Sequence, residues 1–483
     1  MRNQTRREFI KTVGSLAAST GLSIAMPGCT GISKVQRAQS NRPNIVFFFA
    51  DDMRFDTIHS LGNEEIITPT LDSLVRNGTA FTNAYIMGSM SGAVCIPSRA
   101  MLLSGRTLFH LQSPGRVIPP EHITLPRILY NAGYRTFHIG KWHQDQPTYA
   151  RCFSDGAKIF FGGMTDQFNV PVYDFDLSGK YPSDKRYIES GKHSSELFSD
   201  AAISFLRNYK EEKPFFLYIA YTAPHDPREM PKQYGDMYAP AKLVLPKSFM
   251  AEHPFDNGDL KVRDEALASW PRTPDEIRRH IAAYYAMITH LDAQIGRVID
   301  VLKETGYAQN TIVIFAADNG LALGRHGLMG KQNIYEHSVH VPLVITGPGI
   351  PKDKKRNCFC YLLDIYPTLC DLVGVPVPDS VEGQSFVTII RGQKSNLRDA
   401  LFFAYKDFQR GIRNERYKLI EYSVNGKRMT QLFDLQSDPW EINNLAGNRR
   451  YAENFRRLRS QLLSLKDKLG DKSSFWQDYD STL

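Results

Sequence analysis

Four uninterrupted apolar runs punctuate the chain: Asn44–Ala50 (NIVFFFA), Pro214–Tyr221 (PFFLYIAY), Thr311–Ala317 (TIVIFAA) and Val341–Ile345. Runs of this length without polar alternation are the pattern of strands covered on both faces, as in a parallel sheet flanked by helices. A shorter strand is expected over Tyr134–His138. Between the strands the period changes. Pro271–Gly306 carries Ile277, Ile281, Tyr284, Ile288, Leu291, Ile295, Val298 and Leu302 at helical spacing, with Gly306 as its stop. Thr68 is expected to cap a short helix with Pro69 in its first turn, and Thr124–Asn131 reads as another, closed by Gly133. Residues 144–190 hold aromatics, glycine and aspartate without periodicity and read as a long insertion. Beyond Glu382, short strand-like segments such as Arg416–Tyr422 and Met429–Leu435 alternate with turns before a charged helix around Asn454–Leu469. The class implied is α/β: a large, mostly parallel central sheet flanked by helices, with a smaller C-terminal α+β subdomain of antiparallel strands and a helix.

A chain of 483 residues with 42% hydrophobic positions can bury one large core and a smaller one. Lys and Arg outnumber Asp and Glu by 59 to 51, a net charge of +8 that suits an anionic partner. The basic residues are scattered among acids and form no arm of the nucleic-acid kind, so nucleic acid is not expected as a partner. Thr5-Arg6-Arg7-Glu8-Phe9-Ile10-Lys11 and the weakly apolar run to Met26 have the form of a twin-arginine export signal. That signal is expected over residues 1–30, with a polar linker over 31–42. Met26-Pro27-Gly28-Cys29 loosely resembles a lipoprotein processing site, so any membrane attachment is expected only through a lipid at Cys29. No run reaches the length of a membrane span. The expected location is the periplasm or cell surface of a bacterium. Of six cysteines, Cys152, Cys358, Cys360 and Cys370 are free to pair, and Cys358 with Cys370 would close a short loop, but spacing alone leaves the pairing open.

Polar residues gather at the strand ends and in the loops that follow, where ligands bind in open α/β sheets. Asp51-Asp52 follow the first strand, Lys141-Trp142-His143 a short one, His225 another, and Asp318-Asn319 a third. A glycine-rich loop, Gly324 to Lys331, and Tyr335-Glu336 precede the last apolar run. Two adjacent carboxylates beside a buried strand repel each other, and a bound divalent cation offsets that cost; on its own an Asp pair is also compatible with a solvated turn. The stretch Cys95-Ile96-Pro97-Ser98-Arg99-Ala100-Met101-Leu102-Leu103-Ser104-Gly105-Arg106 reads as a reactive turn running into a helix. Ala100–Leu103 supplies a body to bury, and Cys95 would sit at the positive end, with Arg99 offering a forked cation to an anion there.

These twelve residues resemble the signature of the type I sulfatases, CxPSRxxxL(S/T)GR, of the alkaline phosphatase-like superfamily. In that family the cysteine is oxidised to formylglycine, whose hydrated aldehyde is the nucleophile. The resemblance extends in family order through the paired aspartates, Gly140-Lys141-Trp142-His143, Pro224-His225-Asp226-Pro227, Asp318-Asn319-Gly320, His326-Gly327-Leu328-Met329-Gly330-Lys331 and Tyr335-Glu336 with Val341-Pro342-Leu343. Asp364–Leu369, Leu432–Leu435 and Asp438–Glu441 also look like family landmarks, while His340 stands where many members have arginine. The resemblance implies a catalytic domain over 43–381 and a subdomain over 382–483 that completes one side of the substrate pocket. It implies that Asp51, Asp52, Asp318 and Asn319 hold one Ca2+, with Mg2+ as the alternative, together with the modified Cys95. Arg99, Lys141 and Lys331 would hold the remaining anionic charge, His225 would protonate the leaving oxygen with Lys331 as a second candidate, and His143 would remove a proton from position 95. Arg106, Arg228, Arg325 and His326 are candidate substrate contacts, and His110 and Arg116 lie near the same motifs. The partners implied are a sulfated glycan and a formylglycine-generating or anaerobic maturation enzyme. Two other readings compete: a phosphatase or phosphonate monoester hydrolase of the same superfamily, and a non-catalytic glycan-binding homologue.

Overall fold

Every residue of the first strand, β1 (Asn44–Ala50), is buried. Its alternation divides the molecule. Ile45, Phe47 and Phe49 enter one hydrophobic core, and Val46, Phe48 and Ala50 enter the other. A strand lined by two cores has no polar face, which is why its sequence shows no alternation. The computed structural model describes residues 42–477 and 479. Residues 1–41, with the expected export signal and Cys29, lie outside them, and the described residues fall in one unit, Ser40–Leu483.

The remaining strands are β2 (Gly78–Tyr85), β3 (Gly88–Ser89), β4 (Arg135–Lys141), β5 (Asp155–Phe160), β6 (Pro171–Val172), β7 (Tyr187–Ile188) and β8 (Phe215–Ala220). They continue with β9 (Thr311–Ala317), β10 (His340–Thr346), β11 (Lys354–Arg356), β12 (Cys360–Tyr361), β13 (Ala400–Tyr405), β14 (Gln409–Asn414), β15 (Tyr417–Val424) and β16 (Lys427–Asp434). A nine-stranded sheet runs β11-β2-β10-β9-β1-β8-β4-β5, with β12 also paired to β2. β1 lies parallel between β8 and β9, with Ile45 beside Phe216 and Ile312. β10 is antiparallel to both β9 and β2. The fourth apolar run therefore brings its N-terminal end, not its C-terminal end, to the edge where β1, β8 and β9 finish.

The expected stripe on the long helix Pro274–Glu304 is buried throughout, from Ile277 to Leu302. It covers the second core together with helix Ser194–Asn208, while helices Cys95–Ser104 and Ile365–Val373 pack into the first. Burying an aromatic strand residue fully stabilises by about 2 kcal/mol per side chain, and three phenylalanines of β1 are so placed. The five-stranded sheet, β16-β15-β14-β13-β3, is antiparallel except where β13 meets β3. β3 comes from the segment that leads into Cys95, so that segment belongs to both sheets.

Two expectations change. The stretch 144–190 is not an unstructured insertion: it contributes helix Gln146–Cys152, the sheet-edge strand β5 and the small β6–β7 pair. Thr68 does not cap helix Pro69–Arg76 with its side chain. The buried carboxylate of Asp292, on the long helix, accepts from Thr70 N at 3.0 Å and Leu71 N at 2.7 Å instead. The five described cysteines are free thiols, Cys358 and Cys370 among them.

Candidate active site

The ends of four parallel strands open onto one charged cluster. Ala50 and Ala317 are in register, so Asp51-Asp52 and Asp318-Asn319 emerge side by side. Lys141 closes β4, and His225 lies in the loop after β8. Asp52 (φ 65°) and His143 (φ 73°) occupy the left-handed region, which is uncommon for residues other than glycine and frequent at functional sites. Helix Cys95–Ser104 is buried along its whole length and puts Cys95 in its first turn, as the apolar body of the turn requires.

Cys95 Sγ is 3.2 Å from His143 Nδ1 and 4.0 Å from Lys141 Nζ. One ligand atom from each of Asp51, Cys95 and Asp318 lies within 4.8 Å of the others, and Asp52, His225 and Asp226 form a second such group. Lys141 donates to Asp51 and, at 2.5 Å, to the Gly163 carbonyl. Arg99 Nε donates to Asp318 at 2.9 Å and its Nη1 to the Lys141 carbonyl at 3.2 Å. Lys331 Nζ reaches both oxygens of Asp52, at 2.6 and 2.8 Å, and Asn319 Nδ2 donates to the first of them at 2.7 Å. His225 Nδ1 donates to the Asp226 carbonyl at 2.7 Å, which turns Nε2 toward Asp52 at 3.6 Å.

Asp51 Oδ1 and Asn319 Oδ1 are buried and accept no hydrogen bond. Buried oxygens are normally satisfied, and two orphans beside three enclosed carboxylates make an all-oxygen donor set that fits a hard divalent cation. Burial pushes the Cys95 thiol up to about 11, against the lowering effect of Lys141 and Lys331, so the unmodified thiol is protonated at neutral pH and a poor nucleophile. Burial, then Lys141 and Arg99, hold His143 well below the usual imidazole range, leaving it neutral. Burial alone would raise Asp51, but Lys141, His225 and Arg99 bring it below the ordinary carboxylate value. Asp318 moves the other way, raised by burial and by the charge of Asp51.

The residues expected in metal, nucleophile and proton-transfer roles thus converge. The candidate substrate contacts mostly do not. Arg106 is held by Glu382 at 3.2 Å and the Ser380 carbonyl at 2.9 Å. His110 also bonds Glu382, at 2.6 Å, and Arg116 is exposed. Arg325 pairs with Asp56 at 2.5 Å, and His326 Nε2 donates to the Glu441 carbonyl at 3.0 Å, with its ring stacked on Tyr335 at 4.1 Å. Arg228 alone lies in the same loop as His225. His340 fills a slot between Phe55 and Tyr85, with ring centroids 3.8 and 4.4 Å away. Gly163 was not singled out by the sequence, although a Cβ there would meet His143 Nε2 at 2.6 Å. The Gly162-Gly163 pair inside an aromatic stretch was the available signal. Gln332 was also missed; it links Asp264 at 2.8 Å to the Gly92 carbonyl at 3.1 Å, beside Lys331.

A profile of the sulfatase family matches residues 43–375. The chain belongs to the sulfatase family. Like the relatives that follow, it is a sulfuric ester hydrolase. A second profile, N-sulphoglucosamine sulphohydrolase, C-terminal, matches residues 324–468 of the sulfatase. An arylsulfatase of Clostridium perfringens is 33% identical over 463 residues, covering 87% of this chain and 94% of its own. An N-acetylglucosamine-6-O-sulfatase of Bacteroides thetaiotaomicron is 26% identical, covering 92% and 90% respectively. The fold is shared with a structure solved in complex with its substrate D-glucosamine-2-N,6-O-disulfate, at a TM-score of 0.77 and 23% identity, covering 90% of this chain and all of that one.

Proposed function

We propose that this sulfatase hydrolyses sulfate esters of carbohydrates, using a formylglycine made from Cys95 and one Ca2+, with Mg2+ as the alternative, held by Asp51, Asp52, Asp318 and Asn319. The carrying observation is the position of Cys95: its sulfur lies 3.2 Å from a neutral imidazole and within 4.8 Å of carboxylate oxygens of Asp51 and Asp318. When present, the hydrated aldehyde supplies the nucleophilic oxygen and the cation supplies Lewis-acid neutralisation of the sulfate.

The chain's own side chains account for the rest. Arg99, Lys141 and Lys331 orient the anion in an enclosed site, where fixed cations act most strongly. His143 accepts a proton at Nδ1 from the group at position 95. His225, carrying a proton on Nε2 as well as on Nδ1 and standing on a different strand end from Cys95, gives the Nε2 proton to the departing sugar oxygen, so that an alcohol leaves and the neutral Nδ1–H imidazole remains. Residues 43–381 act as the catalytic domain, and 382–483 complete one wall. The carbohydrate assignment is supported by the glucosamine-sulfate chemistry named for the relatives.

Export through residues 1–30 to the periplasm, or to the cell surface through a lipid at Cys29, and maturation by a formylglycine-generating or an anaerobic sulfatase-maturating enzyme complete the proposal. No helix among the described residues is long and apolar enough to cross a membrane. The test is the mass of the Cys95 peptide from protein made in its native host or with a maturation enzyme, followed by turnover of sulfated monosaccharides. Formylglycine with turnover that a chelator removes and Ca2+ restores is the expected result. An unmodified cysteine in the native host contradicts it.

A further inference from the structure

Arg228 lies three residues beyond His225. Its Nη1 donates to His280 Nδ1 at 3.1 Å. His280 shares a face of the long helix with Tyr284, whose hydroxyl donates to the Asp52 carbonyl at 2.6 Å. The guanidinium therefore stands beside the cluster on the His225 side. Its other two nitrogens, Nε and Nη2, are buried and have no hydrogen-bond partner among the described residues.

The carboxylates whose charge reaches Arg228 are already engaged. Arg263 takes Asp226 with both terminal nitrogens and also pairs with Asp264 at 2.5 Å. Gln332 adds a bond to Asp264 at 2.8 Å, and Lys331 and Asn319 take Asp52. Buried guanidinium N–H groups left open carry a desolvation cost that nothing in the protein offsets. Nε and Nη2 form one edge of the fork, the edge that meets a carboxylate or sulfate with two parallel bonds.

We propose that Arg228 determines specificity: its Nε–Nη2 edge receives a second anionic substituent, carboxylate or sulfate, on the sugar whose sulfate ester is cleaved. This rests on the sulfatase reading above. The sulfate being removed already has Arg99, Lys141 and Lys331. Arg228 shares the loop of His225, the residue placed at the departing oxygen, so the anion it binds belongs to the leaving sugar.

The test uses the full chain with a matured position 95, as wild type, R228A, R228Q and R228K. The probes are glucosamine monosulfate, glucosamine disulfate and a monosulfated disaccharide bearing a uronate carboxylate. The ratio of kcat/KM on a doubly anionic probe to that on the monosulfate should fall about 10- to 100-fold in R228A and R228Q, mainly through KM. R228K, which keeps the charge without the fork, should lose less. A response confined to the disulfate assigns a sulfate, and one confined to the uronate assigns a carboxylate. An equal fall on all three probes, or none, overturns the proposal. Calorimetric binding of the probes to a C95A chain, with and without R228Q, separates the two readings. Arg228-dependent affinity without any hydrolysis by the matured enzyme defeats the sulfatase reading alone. Hydrolysis of the monosulfate with no Arg228-dependent affinity defeats the subsite alone.

Discussion

Arg410, on the five-stranded sheet, and Arg228, at the mouth of the central one, both withdraw their guanidinium groups from water, yet one is finished and the other is not. Arg410 Nε and Nη2 meet Asp471 at 2.6 and 3.3 Å, Nη1 meets the carbonyls of Lys406 and Gln409 at 2.5 and 2.8 Å, and Nη2 also reaches Ser473. Phe109 and Phe475 stand against its faces, 5.6 and 4.9 Å away. All of its donor nitrogens are used, and the result is a clamp between the small sheet and the segment after the last helix. Arg228 uses one nitrogen, and the neighbouring central cluster keeps two buried oxygens without donors. The fold satisfies every donor nitrogen of Arg410, whereas it leaves one edge of Arg228 open, and the proposed subsite rests on that difference.

The largest effect expected is from Cys95→Ala, which should lower turnover of any sulfate ester by at least about a thousandfold while the thermal midpoint barely moves. Residual turnover close to the matured wild type would place the nucleophile elsewhere. Arg410→Ala should do the reverse. Breaking an enclosed pair typically costs about 3–5 kcal/mol, so denaturant unfolding should show a loss of that order with kcat/KM per folded molecule intact. A matching fall in kcat/KM would show that the clamp also serves the site.

Asp292 tests an intermediate case, a buried carboxylate that caps a helix while no basic side chain pairs with it among the described residues. Burial pushes it up to about 6 from an ordinary 3.8. The folded state therefore holds this proton more tightly than the unfolded chain does. Its contribution is complete below the ordinary value and is lost as pH rises through the folded one, about 3 kcal/mol in all. Asp292→Asn cannot titrate, so the stability of the native chain relative to this variant should decline by that amount between about pH 4 and pH 7. Parallel stability curves would contradict the assignment.

Much of the central sheet was legible because strands buried on both sides must be apolar throughout, as Asn44–Ala50 and Thr311–Ala317 are. The direction of β10 was not, since an apolar run carries no arrow. β5 escaped notice because an edge strand with Gly156 and Lys158 lacks that uniformity, and β3 because Gly88-Ser89 becomes a strand only when β13 arrives beside it. The charged cluster was legible through its motif residues and their order. The candidate substrate contacts converge less, because nearness in sequence misleads along a helix: Arg106 follows ten helical residues and so sits roughly 15 Å from Cys95. Asp292 could be placed on its helix from the apolar stripe, but its partners, Thr70 and Leu71, come from a segment that only tertiary packing brings near.

β1 is the first described strand to be synthesised, and it ends in the middle of the sheet. Its neighbours on both sides come much later, and 279 residues separate Asp52 from its partner Lys331. The site is thus the closure of a very long loop, whose entropic cost is met only when distant strands pair. A chain interrupted anywhere before Lys331 holds no smaller working version of the site, only unmatched carboxylates.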